Sequence, residues 1–140
     1  MSMKIRTLLY AALLMTLLSC NHQKLPPAAS QFIKEHFPET SLVMVEMEED
    51  DDNGMEYSAW LNDGTKLEFD MTGDWIQVSR KKTGVPADLV PEAILQYVSA
   101  NYPEKAIFKL KKRPYGYKIS LSDDNDLRFN PQGLFLEEVD

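Results

Sequence analysis

The chain has 140 residues, is 44% hydrophobic and 26% charged, and carries a formal net charge of −7. This is the composition of a globular protein, and its acidic balance excludes the basic surplus that binding nucleic-acid phosphates demands. The only histidines are His22 and His36 and the only cysteine is Cys20, so no His/Cys/carboxylate set at ligand spacing is present for zinc or another transition metal.

Residues 1–19 read as a secretory signal: a basic start (Lys4, Arg6), an apolar run Leu8–Leu18 too short to span a bilayer, then Ser19. The ending Leu17-Leu18-Ser19-Cys20 resembles a bacterial lipobox, in which Cys20 becomes the lipid-modified first residue of the mature chain. A secreted chain with one cysteine cannot close an internal disulfide, and lipid attachment gives the odd thiol a use. Residues 21–25 form a polar tether without an acidic cluster. The expectation is a periplasm-facing lipoprotein, at the outer membrane rather than the inner, touching the membrane only through its anchor. Roughly 120 residues remain, enough for one domain.

The remainder states a pattern twice, as unit 1 (residues 26–80) and unit 2 (residues 90–140), with residues 81–89 as linker. At an offset of 65, Pro26 meets Pro91, Gln31 meets Gln96, Pro38 meets Pro103 and Glu39 meets Glu104; at an offset of 60, Tyr57/Tyr117, Leu61/Leu121, Asp63/Asp123, Leu67/Leu127, Phe69/Phe129 and Gly73/Gly133 agree. The slip falls in the acidic run Glu49–Gly54. The solvent-facing charge differs between the copies: residues 25–84 hold thirteen Asp/Glu against five Lys/Arg, residues 85–140 nine against seven.

Each unit opens with a helix. Ala29, Phe32, Ile33, His36 and Phe37 follow helical spacing, as do Ile94, Tyr97, Val98 and Tyr102. Pro26 and Pro91 belong in the first turn, and Pro38 and Pro103 terminate the helices. Four strands follow. In Leu42–Glu48, Val43, Val45 and Met47 oppose Met44, Glu46 and Glu48; in Ile107–Arg113, Phe108 and Leu110 face in while Lys109, Lys111 and Arg113 face out. Tyr57, Ala59 and Leu61 match Tyr117, Ile119 and Leu121, and Leu67 and Phe69 alternate with Lys66, Glu68 and Asp70. Trp75–Arg80 and Leu134–Val139 complete the units, and the pattern allows either phase for Trp75-Ile76 and Phe135-Leu136. The expected fold is α+β: two tandem helix-plus-four-strand antiparallel units forming one sheet of about eight strands, with both helices on one face and the other face open.

A lipoprotein-type signal followed by Leu25-Pro26…Phe37-Pro38-Glu39 and Val90-Pro91…Tyr102-Pro103-Glu104, each with its meander, resembles the PepSY-like, "putative beta-lactamase-inhibitor-like" periplasmic proteins of Bacteroidetes. The resemblance implies a fold similar to the secreted β-lactamase inhibitor, whose concave eight-stranded sheet is a protein-binding surface. It brings no catalytic motif.

His36 reads as a residue in the last helical turn that caps the C-terminus or complements the helix dipole. No nucleophile motif accompanies it and no Gly-rich phosphate loop exists, so neither an enzyme nor a cofactor is expected. The run Glu48–Gly54 has two readings: a solvated hairpin turn at Asn53-Gly54, which is favoured, or a Ca²⁺ site on Asp50, Asp51 and Asp52, although the twelve-residue calcium-loop pattern is missing. Trp60 should lie on the open face with Glu56 and Ser58, sharing it with Met44, Glu46, Glu48, Lys109, Lys111, Arg113, Lys118 and Arg128. Aromatics and arginines anchor protein interfaces. The expectation is a binding module offering an acidic-aromatic half and a basic half to a periplasmic protein or peptide, with a cation or small-ligand sensor as the alternative.

Overall fold

A computed structural model describes residues 24–139. The expected signal, Cys20, and the tether before Lys24 lie outside the described residues. Each unit opens with a ten-residue helix, α1 (Pro27–His36) and α2 (Glu92–Asn101). Pro26 and Pro91 sit one position before the first turn, as N-caps whose carbonyls accept bonds from the amides of Ala29 and Ile94, both at 3.0 Å. The helices end at His36 and Asn101, because Phe37 and Tyr102, each preceding a proline, are pushed out of helical backbone.

The strands are β1 (Leu42–Asp50), β2 (Gly54–Leu61), β3 (Lys66–Phe69), β4 (Trp75–Ser79), β5 (Ile107–Arg113), β6 (Gly116–Leu121), β7 (Asp126–Phe129) and β8 (Phe135–Val139). They form one eight-stranded antiparallel sheet in chain order. Cross-strand pairing lines up Val45, Ala59, Leu67, Val78, Leu110, Ile119 and Leu127 as a single row on one face. Ala29 and Ile33 of α1 pack on the first part of that row, and Ile94 and Val98 of α2 on the second. Leu67, Val78, Leu110, Ile119 and Leu127 are fully buried; burial of this kind contributes roughly 1.5–3 kcal/mol per large side chain. The sheet is α+β as expected, with both helices on one face. The two short helices are held by this packing rather than by their own propensity.

Four bulges modify the alternation read from the sequence, at matching places in the two units. Between the pairs Leu42↔Leu61 and Met44↔Trp60, Val43 is an extra residue; between Ile107↔Leu121 and Lys109↔Ser120, Phe108 is. Phe108 therefore does not face inward as expected. Ile107 takes the core position beside Leu121, and Phe108 lines a recess with Ser79, Lys109 and Ser120. Val43 is likewise displaced, and is 66% exposed. In the last strands Ile76 and Leu136 are the extra residues, so Trp75 pairs with Phe69 and Phe135 with Phe129. Trp75 and Phe135 are the inward residues, stacked on Phe32 (6.0 Å) and Tyr97 (4.6 Å) between ring centroids. A bulge permits either phase in sequence because it switches phase itself.

The turns before β4 and β8 carry each helix's N-terminus. Gly73 and Gly133 have φ of +94° and +80°, and a Cβ on either would come within 3.0 Å of Ala28 or Ala93 at the start of the facing helix. Only glycine satisfies the backbone angle and the close approach together. Asp70 and Asn130 close these turns by accepting amide bonds from Thr72 and Asp74, and from Gln132 and Leu134.

Candidate functional site

On the face away from the helices, the register sets out a second row: Glu46, Ser58, Glu68, Gln77, Lys111, Lys118, Arg128 and Glu137. Beside it run Met44, Trp60, Lys66, Ser79, Lys109, Ser120 and Asp126. Met44, Glu46, Trp60, Lys109, Lys111, Lys118 and Arg128 therefore share one face, and Arg113 follows the same alternation along β5. Met44 is 43% exposed. Trp60 is half-buried, with the Lys66 ammonium 5.1 Å from its ring centroid.

The face is not flat. Strands 4.8 Å apart would put β1 and β5 about 19 Å from each other in a flat sheet. Yet Lys111 reaches Asp50 at 3.3 Å and Arg113 reaches Asp52 at 2.6 Å. The β1–β2 hairpin overhangs the end of β3, because β3 pairs only with Tyr57–Trp60. This overhang curls across the face until its acidic tip meets the basic strand of unit 2. The acidic and basic halves are thus joined by ion pairs within the molecule. Lys118 and Arg128 also have partners, Asp126 at 3.3 Å and Glu137 at 2.7 Å. A recess of about 440 Å³ lies at the junction, lined by Asp52, Arg113, Pro114, Tyr115, Lys118 and Arg128, with the Arg128 guanidinium over the Tyr115 ring.

Beneath the curled hairpin lie carboxylates that the sequence reading placed outward but did not bring together. Glu48 pairs directly with Glu56, and Glu68 pairs with Ser58 one strand further on. One carboxylate oxygen from each of Glu48, Glu56 and Glu68 lies within 4.8 Å of the others. Glu56 is only 3% exposed and Glu68 6%. Lys66 approaches Glu48 and Glu68 at 3.7 and 3.2 Å, Lys111 approaches Glu68 at 4.0 Å, and the Ser58 hydroxyl donates to Glu48 at 3.0 Å. Burial, then the neighbouring Glu68 and Asp50 charges, push the Glu56 carboxyl from 4.5 up to about 7. Asp50 moves the other way: despite its burial, the Asp52 amide and the Lys111 ammonium hold it below the ordinary range. The sequence signal for this cluster was two glutamates flanking one hairpin turn on one face; the register was needed to see them opposed.

Asp50, Asp51 and Asp52 do not converge on a common point through these contacts. Asp50 Oδ1 accepts from the amides of Asp52 and Asn53, Asp50 Oδ2 faces Lys111, Asp52 faces Arg113, and Asp51 is exposed. His36 sits in the last turn of α1, but its side chain turns to Asp88 rather than to a helix carbonyl: its Nδ1 lies 3.2 Å from Asp88 in the 3₁₀ turn Ala87–Leu89, and its ring packs on Phe32. It ties α1 to the linker.

A family described as "Putative beta-lactamase-inhibitor-like, PepSY-like" matches residues 55–137, from β2 to β8. The chain belongs to this family. Solved structures extend the likeness to the first helix and β1. A protein described as a "putative periplasmic protein of unknown function" from Bacteroides vulgatus is 32% identical over 87% of this chain and 97% of its own, with a TM-score of 0.79. A "putative calcium-regulated periplasmic protein" from Bacteroides thetaiotaomicron is 32% identical over 84% and 91%, with a TM-score of 0.75. A further "putative periplasmic protein" from Bacteroides vulgatus is 35% identical over 83% and 91%, with a TM-score of 0.73. No curated protein matches the chain. Among the described residues of this PepSY-like protein, no helix is long and apolar enough to cross a membrane. Its open face carries carboxylates in unit 1, cations in unit 2, and an aromatic ring beside each, Trp60 and Tyr115.

Proposed function

We propose that the protein is a non-enzymatic, lipid-anchored periplasmic binding module that engages a protein or peptide on the open face of its sheet. The observation that carries this reading is the shared face of Met44, Trp60, Lys109, Lys118 and Arg128, in a family named for its likeness to a protein inhibitor. Apolar and aromatic surface beside arginines is the composition of interface anchors, and the mixed charges around it supply orientation. The anchor is assigned to Cys20, and the compartment follows the periplasmic description of the similar structures. The test is capture from a periplasmic extract, with the wild-type protein, Trp60→Ala and the Lys118→Ala/Arg128→Ala pair compared directly. A protein retained by wild type and lost by both variants, each still folded, supports the reading. Identical capture by all three removes it.

A second reading is response to a divalent cation. Its support is the Glu48/Glu56/Glu68 cluster, together with a 32%-identical structure described as calcium-regulated. A ligand bound by the folded state alone raises the thermal midpoint, so unfolding with and without calcium at constant ionic strength tests it.

A further inference from the structure

We propose that Glu48, Glu56 and Glu68 form an all-oxygen site for a single divalent cation of the calcium class, held under the curled β1–β2 hairpin. This rests on the cation reading above and locates it away from the exposed aspartates of the turn. Three observations support it.

The first is unsatisfied valence. Glu56 and Glu68 are buried beyond nine-tenths, and Oε2 of each has no hydrogen-bond partner. A buried carboxylate oxygen without a donor is costly, and both belong to side chains that converge on one point. Like charges directly opposed across a strand pair, as Glu48 and Glu56 are, destabilise a sheet unless something stands between them.

The second is charge. Glu48, Asp50, Glu56 and Glu68 are four carboxylates joined through contacts to two ammoniums, Lys66 and Lys111. With all four carboxylates ionised, the deficit equals the charge of one divalent ion.

The third is geometry. Calcium–oxygen distances of about 2.3–2.6 Å place oxygens on opposite sides of the ion about 5 Å apart. Oxygens already within 4.8 Å of one another can be bridged by side-chain adjustment, without moving a strand. Magnesium requires a tighter octahedron and keeps its waters, and the oxygen-only donor set disfavours softer metals. The Ser58 hydroxyl is close enough to Glu48 to add an oxygen.

Unit 2 provides an internal contrast. Counted outward from the pairs Met47↔Tyr57 and Lys112↔Tyr117, the positions of Glu48 and Glu56 are held by Arg113 and Gly116, and that of Glu68 by Arg128. Unit 2 therefore has no equivalent of the site among the described residues.

The experiment is calorimetric titration of the purified protein with Ca²⁺ and with Mg²⁺, each against NaCl of equal ionic strength, in wild type, Glu48→Gln, Glu56→Gln, Glu68→Gln and Asp51→Asn. The expected result is one calcium per chain, weaker magnesium uptake, affinity preserved in Asp51→Asn, and a loss of about tenfold or more in each glutamine variant. The Glu48 side chain is 39% exposed, so its variant leaves the core intact even if a buried substitution does not fold. Calcium uptake unaffected by all the folded glutamine variants would overturn the site while leaving the cation reading in place. Heat no different from that of NaCl would overturn both.

Discussion

Unit 1 and unit 2 are built alike on the inside and oppositely on the outside. Ala59↔Leu67 in the first corresponds to Ile119↔Leu127 in the second, and Tyr57↔Phe69 to Tyr117↔Phe129. On the open face, Ser58↔Glu68 becomes Lys118↔Arg128, and Trp60↔Lys66 becomes Ser120↔Asp126. Strand alternation explains how this is possible. Inward positions are fixed by packing against a helix and a neighbouring strand, while outward positions at the same register are free to change without disturbing it. The two units differ in what the frame displays, not in the frame.

The largest expected effect tests the likeness. Phe69 and Phe129 are both fully buried and each meets a helix aromatic edge-on, Phe32 at 5.7 Å and Tyr97 at 5.4 Å between centroids. Phe69→Ala and Phe129→Ala should each cost about 3–5 kcal/mol, measured by urea unfolding. Trp75, Val85 and Leu89 pack against both core clusters, and Val78 pairs with Leu110 across the unit boundary. Either variant should therefore unfold in a single transition. Two separate transitions would show that the units are independent.

The next effect tests the difference. Glu56 titrates near 7 when folded and near 4.5 when exposed. The folded state then holds a proton that the unfolded state releases between those values, so stability present below about pH 4.5 declines as pH rises through 7. The linkage amounts to roughly 3 kcal/mol. In the presence of a chelator, Glu56→Gln should flatten this decline and leave the protein more stable than wild type at pH 8. Asp50, Asp63 and Asp70 are all held below the ordinary carboxylate value of 3.8. Their stabilisation is present above that value and disappears as pH falls through their lower folded values, outside the Glu56 window. A wild-type profile level between pH 5 and 8 would contradict the burial assigned to Glu56.

Much of this frame was legible. The proline-bounded helices, the order of eight strands and the sharing of one face by Met44, Trp60, Lys109, Lys111, Lys118 and Arg128 follow from periodicity, since each depends on residues near in sequence. The bulges at Val43, Ile76, Phe108 and Leu136 did not, because an inserted residue leaves the letters unchanged while reversing the phase. Nor did the Glu48–Glu56–Glu68 cluster or the contact of His36 with Asp88. These depend on register and on the curl of a hairpin across the sheet, which bring together residues that no local periodicity links, His36 and Asp88 being 52 positions apart.

The smallest effect concerns the join between the halves. Asp50–Lys111 and Asp52–Arg113 tie the hairpin of unit 1 to β5 of unit 2, whereas Arg128–Glu137 lies wholly within unit 2. Asp52 is 61% exposed, so its pair with Arg113 should couple by only about 0.2–1 kcal/mol in a double-mutant cycle, and less at high salt. Asp50–Lys111 is the better shielded pair, at 19% and 12% side-chain exposure, and its coupling should stand at or above the upper end of that range. Lys111→Ala alone should cost more than the coupling, because it also strips a counter-charge from Glu68. A cycle on Arg128 and Glu137 gives the reference for a pair that spans no boundary. If the two pairs across the boundary couple no more strongly than this one, and their loss leaves hydrogen exchange in the hairpin unchanged, the curl is set by the twist of β1 and β2 alone. If exchange accelerates there while the rest of unit 1 stays protected, the ion pairs hold the hairpin down over the carboxylates, and the charges of unit 2 shape the face that unit 1 presents.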